Sequence, residues 1–298
     1  MGKWLKRGAI AAAVLVILAA GAVFAGLQLA DRRMARQVAV QVQPVALPGD
    51  ADALVRGKYL FASRGCVDCH GATGAGRVFV DNGRDLRIKG PNITTGSGGV
   101  VASYRPEDWV RAIRHGVAPG GRPLMIMPSE DYNRFTDADL AALVGYVKSL
   151  PPAQGTAAEV RLPLPARVLY GFGAIQDAAA KIDHSVPPAR PVAEGVNLQH
   201  GAYVANMCLG CHGEQLLGGR IPGSPPDWPA AANLRPVADS GMARYAQPEA
   251  FLRMFKTGLR PDGSKIQVMP FESLREMNET DVRALHLYLR SLPARPQG

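Results

Sequence analysis

Residues 66–70 read Cys-Val-Asp-Cys-His, and residues 208–212 read Cys-Leu-Gly-Cys-His. These two pentapeptides decide the fold, because together they hold all four cysteines of the 298-residue chain. Cys-x-x-Cys-His is the attachment pattern of c-type haem. One helical turn places two sulfurs along one edge of the porphyrin for two thioether bonds, and the next residue turns its imidazole toward the iron. We therefore predict two covalently bound haem c groups, attached through Cys66, Cys69, Cys208 and Cys211 and ligated by His70 and His212.

The two pentapeptides are separated by 142 residues, and the same offset relates many other special residues. The pairs are Pro106 and Pro248, Gly116 and Gly258, Met127-Pro128 and Met269-Pro270, Tyr146 and Tyr288, and Leu150-Pro151 and Leu292-Pro293. Such self-similarity at a fixed spacing indicates a duplicated domain. We expect the two units to occupy residues 50–152 and 195–298, joined by a proline-containing connector over residues 153–194.

We predict that a methionine supplies the second axial ligand of each iron. Met127 and Met269 each lie 57 residues after the motif histidine, and each precedes a proline. A thioether is a soft donor, and Met/His ligation raises the potential of a haem. Met125 lies on the same stretch, but its counterpart at the 142 offset is Gln267, so we do not assign it. The remaining histidines also lack histidine counterparts and are expected to be structural or surface residues: His115, His184, His200 and His286.

Two other uses of four cysteines have to be weighed. A zinc site could take all four thiolates, but it would leave both motif histidines unused and would join pairs that 138 residues separate. Two thiol–disulfide exchange pairs, or a structural disulfide, would also give the histidines no role. The repeated register of cysteine and histidine favours haem over both alternatives.

The N-terminal segment is long and apolar. Residues 8–30 form a run of 23 residues without charge, in which Gln28 is the single polar side chain. At about 1.5 Å per residue, this run can span a bilayer core of about 30 Å. We predict an uncleaved transmembrane anchor over residues 1–36 and a tether over residues 37–49, with cleavage near Phe24-Ala25 as the alternative. Haem attachment of this type is completed outside the cytoplasmic membrane, so we expect both haem domains on the periplasmic side of that membrane.

The net charge of +9 does not mark a nucleic-acid-binding protein. Residues 1–49 carry six basic and one acidic side chain, whereas residues 50–155 and 195–298 each carry an excess of only two basic side chains. Lysine and arginine beside an apolar segment are expected on membrane grounds. Neither body segment has a basic stripe, and we expect no nucleic-acid partner.

Helical spacing dominates the body of the chain, and strand alternation is not convincing anywhere. Each unit ends on a segment whose apolar residues recur at the spacing of a helix. Thr136 and Asn278 are placed to cap these closing helices, each with an aspartate three residues later. Shorter helices are expected ahead of each motif, over Ala53–Ser63 and Gly201–Met207, and a further one is possible near Val168–Ala180 in the connector.

These residues resemble the class I cytochrome c family, and more closely the multi-haem cytochrome c subunits of membrane-bound alcohol, gluconate and aldehyde dehydrogenases. The resemblance covers residues 50–296 and rests on the Cys-x-x-Cys-His motifs, Gly-Pro-Asn-Ile-Thr at 90–94, Ile-Met-Pro at 126–128 and Ser-Leu-Pro at 149–151. It implies that an N-terminal helix crosses a C-terminal helix around each haem. We therefore expect an all-α fold in which an N-terminal transmembrane helix is followed by two tandem cytochrome c domains. The dehydrogenase subunits usually carry three haems, whereas this chain has two motifs.

Met–His ligation fills both axial positions of each iron and leaves no open position for a substrate. We therefore expect an electron-transfer protein, not an enzyme. The resemblance implies a periplasmic or membrane dehydrogenase as donor and a quinone, an oxidase or another cytochrome of the respiratory chain as acceptor. Two alternatives remain: a cytochrome subunit of a haem–copper oxidase, which fits the anchor and two haems, and a di-haem peroxidase, which needs an accessible iron.

Overall fold

The computed structural model describes residues 2–295, and most of its regular structure is helical. The helices are α1 (Lys3–Ala35), α2 (Ala51–Ser63), α3 (Cys66–His70), α4 (Pro106–His115), α5 (Ser129–Tyr132), α6 (Asp137–Ser149), α7 (Leu164–Gly171), α8 (Ala178–Lys181), α9 (Leu198–Ala205), α10 (Leu209–His212), α11 (Pro248–Thr257), α12 (Phe271–Leu274) and α13 (Glu279–Ser291). Two single-turn 3-10 helices cover Asn206–Cys208 and Gly241–Arg244. The expectation of a mainly helical chain is confirmed.

The first helix is much longer than the others. Its 33 residues extend over about 50 Å at the helical rise. The mean hydropathy of its most apolar 18-residue window is 2.6, and nearly all of that window is exposed. By length and composition, α1 can therefore cross a membrane.

A pair of crossing helices organises the first half of the body. The helices α2 and α6 pack so closely that a Cβ atom on Gly57 would lie 2.0 Å from the carbonyl oxygen of Ala142. Leu60 and Leu140 are fully buried beside this crossing. The predicted cap is confirmed, because the Thr136 hydroxyl accepts a 3.0 Å hydrogen bond from the backbone N–H of Asp139.

The second half repeats this crossing with α9 and α13. A Cβ atom on Gly201 would lie 2.1 Å from the carbonyl oxygen of Ala284. The Asn278 side chain caps α13 as predicted, with 2.7 Å between its Oδ1 and the backbone nitrogen of Asp281. A separate core surrounds this crossing, in which Val204, Phe251, Met277, Leu285 and Leu289 are buried. Each half thus has its own crossing and its own core.

Reciprocal hydrogen bonds join the two halves. The Tyr59 hydroxyl donates to Asp281 at 2.5 Å, and the Tyr203 hydroxyl donates to Asp139 at 2.6 Å. Each tyrosine therefore comes from the helix that precedes the motif in one half and binds the first turn of the closing helix of the other half. Asp281 also forms a buried ion pair with Arg64 of the first half.

A small antiparallel sheet departs from the all-α expectation. The strands β1 (Val78–Asp81), β2 (Arg87–Lys89) and β3 (Glu159–Arg161) pair in the order β1-β2-β3. The Asn82 side chain tightens the turn between the first two, because its Oδ1 accepts hydrogen bonds from three following backbone N–H groups. Strands of three or four residues are too short to show an alternating pattern, so the sequence did not predict them.

The connector contains two short helices in place of the one considered near Val168–Ala180. The helix α7 packs against the C-terminal part of α1, and α8 lies beside the loop that follows α4. Residues 37–49 contain no helix or strand. Val42 and Val45 of this segment pack on the core of the first half, so the segment follows the surface of that half.

Candidate haem sites

The first Cys-x-x-Cys-His motif forms a single helical turn. This turn, α3, begins after Gly65 and ends before Gly71, and both glycines have positive φ values, 86° and 70°. Glycine adopts positive φ values at little steric cost, so the chain can bend sharply at both ends of this turn. The second motif forms the 3-10 turn Asn206–Cys208 and α10, which ends before Gly213. Each motif thus brings both sulfurs and the imidazole onto one short helical segment.

Each motif histidine is oriented by a backbone carbonyl. His70 Nδ1 lies 3.0 Å from the carbonyl oxygen of Pro91, and His212 Nδ1 lies 2.8 Å from that of Ala232. A carbonyl only accepts, so Nδ1 carries the proton in both rings and Nε2 keeps its lone pair. Burial lowers the pKa of both histidines, which favours the neutral ring. A neutral imidazole held through one nitrogen is the arrangement used to orient a metal ligand.

The loop that holds His70 is itself tightly fixed. Asn92 is fully buried, and its Oδ1 accepts hydrogen bonds from the backbone N–H and the hydroxyl of Thr94. Its Nδ2 donates to the carbonyl of Ala153 at 2.8 Å. A Cβ atom on Gly90 would lie 2.1 Å from the carbonyl oxygen of Cys69, so only glycine fits there. The sequence quoted at 90–94 is therefore the segment that positions the Pro91 carbonyl.

None of the four cysteines forms a disulfide bond. Burial raises the pKa of Cys66 and Cys208 to about 12 and that of Cys69 to about 11. Thiol–disulfide exchange depends on thiolates, which a lowered pKa provides, so these thiols are unlike exchange pairs. Within residues 2–295 no group of three or more His, Cys, Asp or Glu side chains is arranged to hold a metal ion. The zinc alternative gains no support from this arrangement.

The two assigned methionines lie on the two cores. Met127 is half-buried and packs on the same core as Cys66, and Met269 is half-buried and packs on the same core as Cys208. Each half thus gathers a cysteine and a methionine on one apolar surface. A c-type haem fits this donor set, which combines two thiols, one oriented neutral imidazole and one thioether in each half.

The other histidines are engaged by protein groups. His200 Nε2 lies 2.7 Å from Asp281, and His286 Nε2 lies 2.8 Å from the carbonyl oxygen of Tyr245. His115 and His184 face each other with 3.0 Å between their Nδ1 atoms. Among the remaining methionines, three are buried in the second core: Met242, Met254 and Met277.

Each attachment turn is also contacted by the other half of the chain. Asp131 of α5 accepts a 2.7 Å hydrogen bond from the backbone N–H of Gly210, which lies between the cysteines of the second motif. Ser273 of α12 donates at 2.7 Å to Asp68, which lies between the cysteines of the first motif. These contacts were not anticipated from the sequence. The 142 offset could have indicated them, because it relates Asp131 to Ser273 and Asp68 to Gly210.

Comparison with known proteins agrees with a cytochrome. Residues 52–147 match the family model described as cytochrome C oxidase, cbb3-type, subunit III. The chain is 26% identical over 280 residues to the fructose dehydrogenase cytochrome subunit of Gluconobacter japonicus, covering 86% of this chain and 56% of that protein. It is 27% identical to the cytochrome c subunit of the alcohol dehydrogenase (quinone) of Gluconobacter oxydans, covering 84% and 57%. It is 29% identical to the gluconate 2-dehydrogenase cytochrome c subunit of Pantoea cypripedii, covering 82% and 60%.

The chain spans less than two thirds of the length of these curated relatives. Each of these three relatives, which align over more than four fifths of the chain, is named as the cytochrome subunit of a dehydrogenase. The oxidase-type match is confined to residues 52–147. The comparisons therefore support electron transfer from a dehydrogenase and do not favour the alternative of an oxidase subunit.

Proposed function

We propose that the chain is a membrane-anchored, periplasmic di-haem cytochrome c that carries single electrons from a dehydrogenase to the respiratory chain. One observation carries the proposal: each half contains a Cys-x-x-Cys-His turn whose histidine is held through Nδ1 by a backbone carbonyl, with a methionine on the adjoining core. The presence of one such turn, one oriented histidine and one methionine in each half supports two tandem cytochrome c domains. They also support two haems, one fewer than the three usual for the dehydrogenase subunits that the sequence resembles.

The residues of the chain have separate tasks in each domain. The cysteine pairs, Cys66 with Cys69 and Cys208 with Cys211, would attach the two haems. His70 with Met127 and His212 with Met269 would ligate the irons. A bound haem c supplies a reversible one-electron change at iron. The carbonyls of Pro91 and Ala232 hold the rings of the histidines in place, which favours the same ligation in both oxidation states.

The two sites are suited to passing electrons within one chain. Both attachment turns lie at the contact between the halves, because Asp68 binds Ser273 and Gly210 binds Asp131. The hydrogen-bonded tyrosines, Tyr59 and Tyr203, fix the halves against each other. A rigid arrangement of this kind keeps the spacing of two sites constant. The relay therefore needs no swinging motion of one domain against the other.

The apolar helix α1 supports attachment to the cytoplasmic membrane, with the body on the periplasmic side. The relatives support a dehydrogenase as donor, and a quinone, an oxidase or another cytochrome serves as acceptor. A histidine and a methionine on each iron would leave no open coordination position, which peroxide turnover needs, so the proposed ligands argue against a di-haem peroxidase.

Purification from detergent-solubilised membranes tests this function. We expect two haems per chain, co-purification of a dehydrogenase, reduction of both haems by that enzyme's substrate, and a reduced spectrum that carbon monoxide leaves unchanged. A haem–copper oxidase as the sole partner would contradict the proposed donor. Carbon monoxide binding together with fast peroxide turnover would contradict the relay.

A further inference from the structure

The connector helix α7 is packed directly onto the apolar helix α1. A Cβ atom on Gly171 would lie 2.0 Å from the carbonyl oxygen of Gly26, and a Cβ atom on Gly26 would lie 2.8 Å from Val168 Cγ1. Ala30, one turn further along α1, is fully buried. Small residues at such a contact allow two helix backbones to approach closely, as in membrane helix pairs.

Polar contacts fix this helix pair at the end of α1 that joins the body. Arg36 forms a two-pronged ion pair with the buried Asp177 at 2.6 and 2.7 Å, and Tyr170 donates to the same carboxylate at 2.7 Å. Arg167 of α7 pairs with Asp31 of α1 at 2.8 Å. The guanidinium group of Arg33 lies 5.5 Å from the centre of the Tyr170 ring. The helix α1 is therefore clamped to the connector and is not a freely swivelling anchor.

The clamped pair leaves apolar side chains uncovered. The exposed fractions are 51% for Leu164, 47% for Leu169 and 55% for Phe172. On α1, Phe24 is 66% exposed just before the contact with α7. These side chains continue the apolar surface of α1 onto the connector.

The position of Phe172 indicates how deep this apolar surface would lie in the bilayer. The ring of Phe172 lies 3.0 Å from where a Cβ atom of Gly26 would be. Gly26 precedes Ala30, the end of the uncharged run, by four residues, which corresponds to about 6 Å along the helix axis. If the run 8–30 crosses the hydrocarbon core, Phe172 lies below the end of that run. Arg32, Arg33 and Arg36 follow at the level expected for headgroups.

We propose that α7 is a second membrane contact, which lies in the outer interface of the bilayer with Leu164, Leu169 and Phe172 in lipid. This inference rests on the proposed function in one respect, namely that α1 spans the membrane. Lipid is the occupant that the geometry favours, because the exposed apolar surface of α7 adjoins the exposed apolar surface of α1. Short helices with apolar and basic residues are known to lie in this interface.

The contact would fix the height and tilt of the haem-binding body above the membrane. The helix α7 is clamped to α1, and Asp177, which pairs with Arg36, immediately precedes α8, which packs beside Gly116 of the first half. The body therefore cannot swing freely about residue 36. The surface available to a dehydrogenase is then the same in every copy.

Photolabelling of the full-length, haem-loaded protein in lipid vesicles tests this inference. The vesicles contain a phospholipid with a diazirine in its acyl chain, and mass spectrometry identifies the labelled peptides. We expect label on α1 and α7, and none on second-half peptides that carry the exposed residues Leu198 and Leu259, which are 48% and 42% exposed. Absence of label on α1 would refute the anchor itself. Label on α1 without label on α7 would refute only the second contact.

A matched pair of variants sharpens the test. Leu169→Glu with Phe172→Glu should reduce the labelling of α7 at least fivefold and leave the labelling of α1 and the haem content unchanged. Leu198→Glu with Leu259→Glu, which adds the same charge at two exposed sites on the body, should leave both labels unchanged. Equal labelling of α7 in the first variant and the natural protein would overturn the inference. Absence of label on α7 in native membranes, with α1 still labelled, would also overturn the inference, because a protein partner would then cover α7.

Discussion

The carboxyl group of Asp131, in the first half of the chain, accepts a 2.7 Å hydrogen bond from the backbone N–H of Gly210, in the second half. The glycine lies between two cysteines, so the carboxyl group is a fixed neighbour of the second attachment turn. Burial raises the pKa of Asp131 to about 8, and the Gly210 N–H offsets this only in part. This residue is therefore expected to make the stability of the protein depend on pH near neutrality.

We expect the contribution of Asp131 to the free energy of unfolding to fall as the pH rises from about 4 to about 8. The folded chain retains a proton on Asp131 over that range, whereas the unfolded chain has lost it, so the stabilising protonated form is fully present only at low pH. Asp131→Asn keeps an oxygen for the Gly210 N–H and removes the charge. At pH 9 this variant should be more stable than the natural protein by more than about 1.4 kcal/mol, the free energy that corresponds to a single pKa unit.

Urea denaturation of the haem-loaded protein at several pH values measures this dependence. Glu272→Gln is the control, because the Glu272 carboxylate is exposed and pairs with Arg77 at the surface. The free energy of unfolding of this control should depend on pH between pH 4 and pH 8 in the same way as that of the natural protein. An equal slope in Asp131→Asn and the natural protein would show that another group causes it.

Replacing one cysteine pair should remove one haem. The variant with Cys208→Ala and Cys211→Ala keeps the complete first site and its core, so it should bind one haem per chain. The variant with Cys66→Ala and Cys69→Ala should behave in the same way with the second site. Intact mass and haem-stained denaturing gels give the count, and two haems in either variant would disprove the assignment of the motifs.

Changing one methionine should lower the potential of one haem. Met127→His replaces a thioether by an imidazole, and the potential of the first haem should fall by about 0.1 V or more, while that of the second changes little. Met269→His should affect the second haem alone. Met125→His is the matched control, since it alters a neighbouring methionine. Redox titration with visible spectra distinguishes them, and a shift in Met125→His alone would show that the ligand was wrongly chosen.

Removing the charge of Asp281 should destabilise the protein strongly. The carboxylate and its partner Arg64 are both buried, and Arg64 would lose its counter-ion. Leaving one partner of a buried pair unpaired typically costs about 3–5 kcal/mol. Asp281→Asn should therefore lower the urea midpoint markedly. Glu279→Gln, which alters an exposed partner of Arg283 on the same helix, should change it little.

The carboxylate of Asp281 is also expected to make the protein less stable in acid. Burial alone would raise the pKa of Asp281, but Arg64, Tyr59 and His200 outweigh burial and lower it to about 2. Its contribution is then complete above the ordinary carboxyl range near pH 4 and disappears as the pH falls toward 2. Asp281→Asn should lack this component, and a titration monitored by circular dichroism shows whether it does.

Local signals predicted the helices that frame each site. The caps at Thr136 and Asn278 and the apolar spacing after them depend on residues within a few positions of each other, and they could be read directly from the chain. The observed helix ends differ from the predicted ones by a few residues. For example, α9 begins at Leu198, whereas the sequence predicted a start at Gly201.

Contacts between distant residues could not be predicted in this way. The docking of α7 on α1 joins Gly26 to Gly171, and nothing in the apolar run marks Gly26 as a contact. The sheet depends on β3, a three-residue strand that lies about 70 residues from its partner β2. The haem ligands themselves stay a prediction, because they were assigned from the repeat.

The buried pair of Arg64 and Asp281 also bears on how the chain folds as it is made. The two residues are 217 positions apart, and Asp281 lies on the last helix. Until that helix has emerged, Arg64 has no counter-ion, and a buried charge without one is costly. The first half therefore gains its full stability only when the last helix has docked and Asp281 faces Arg64.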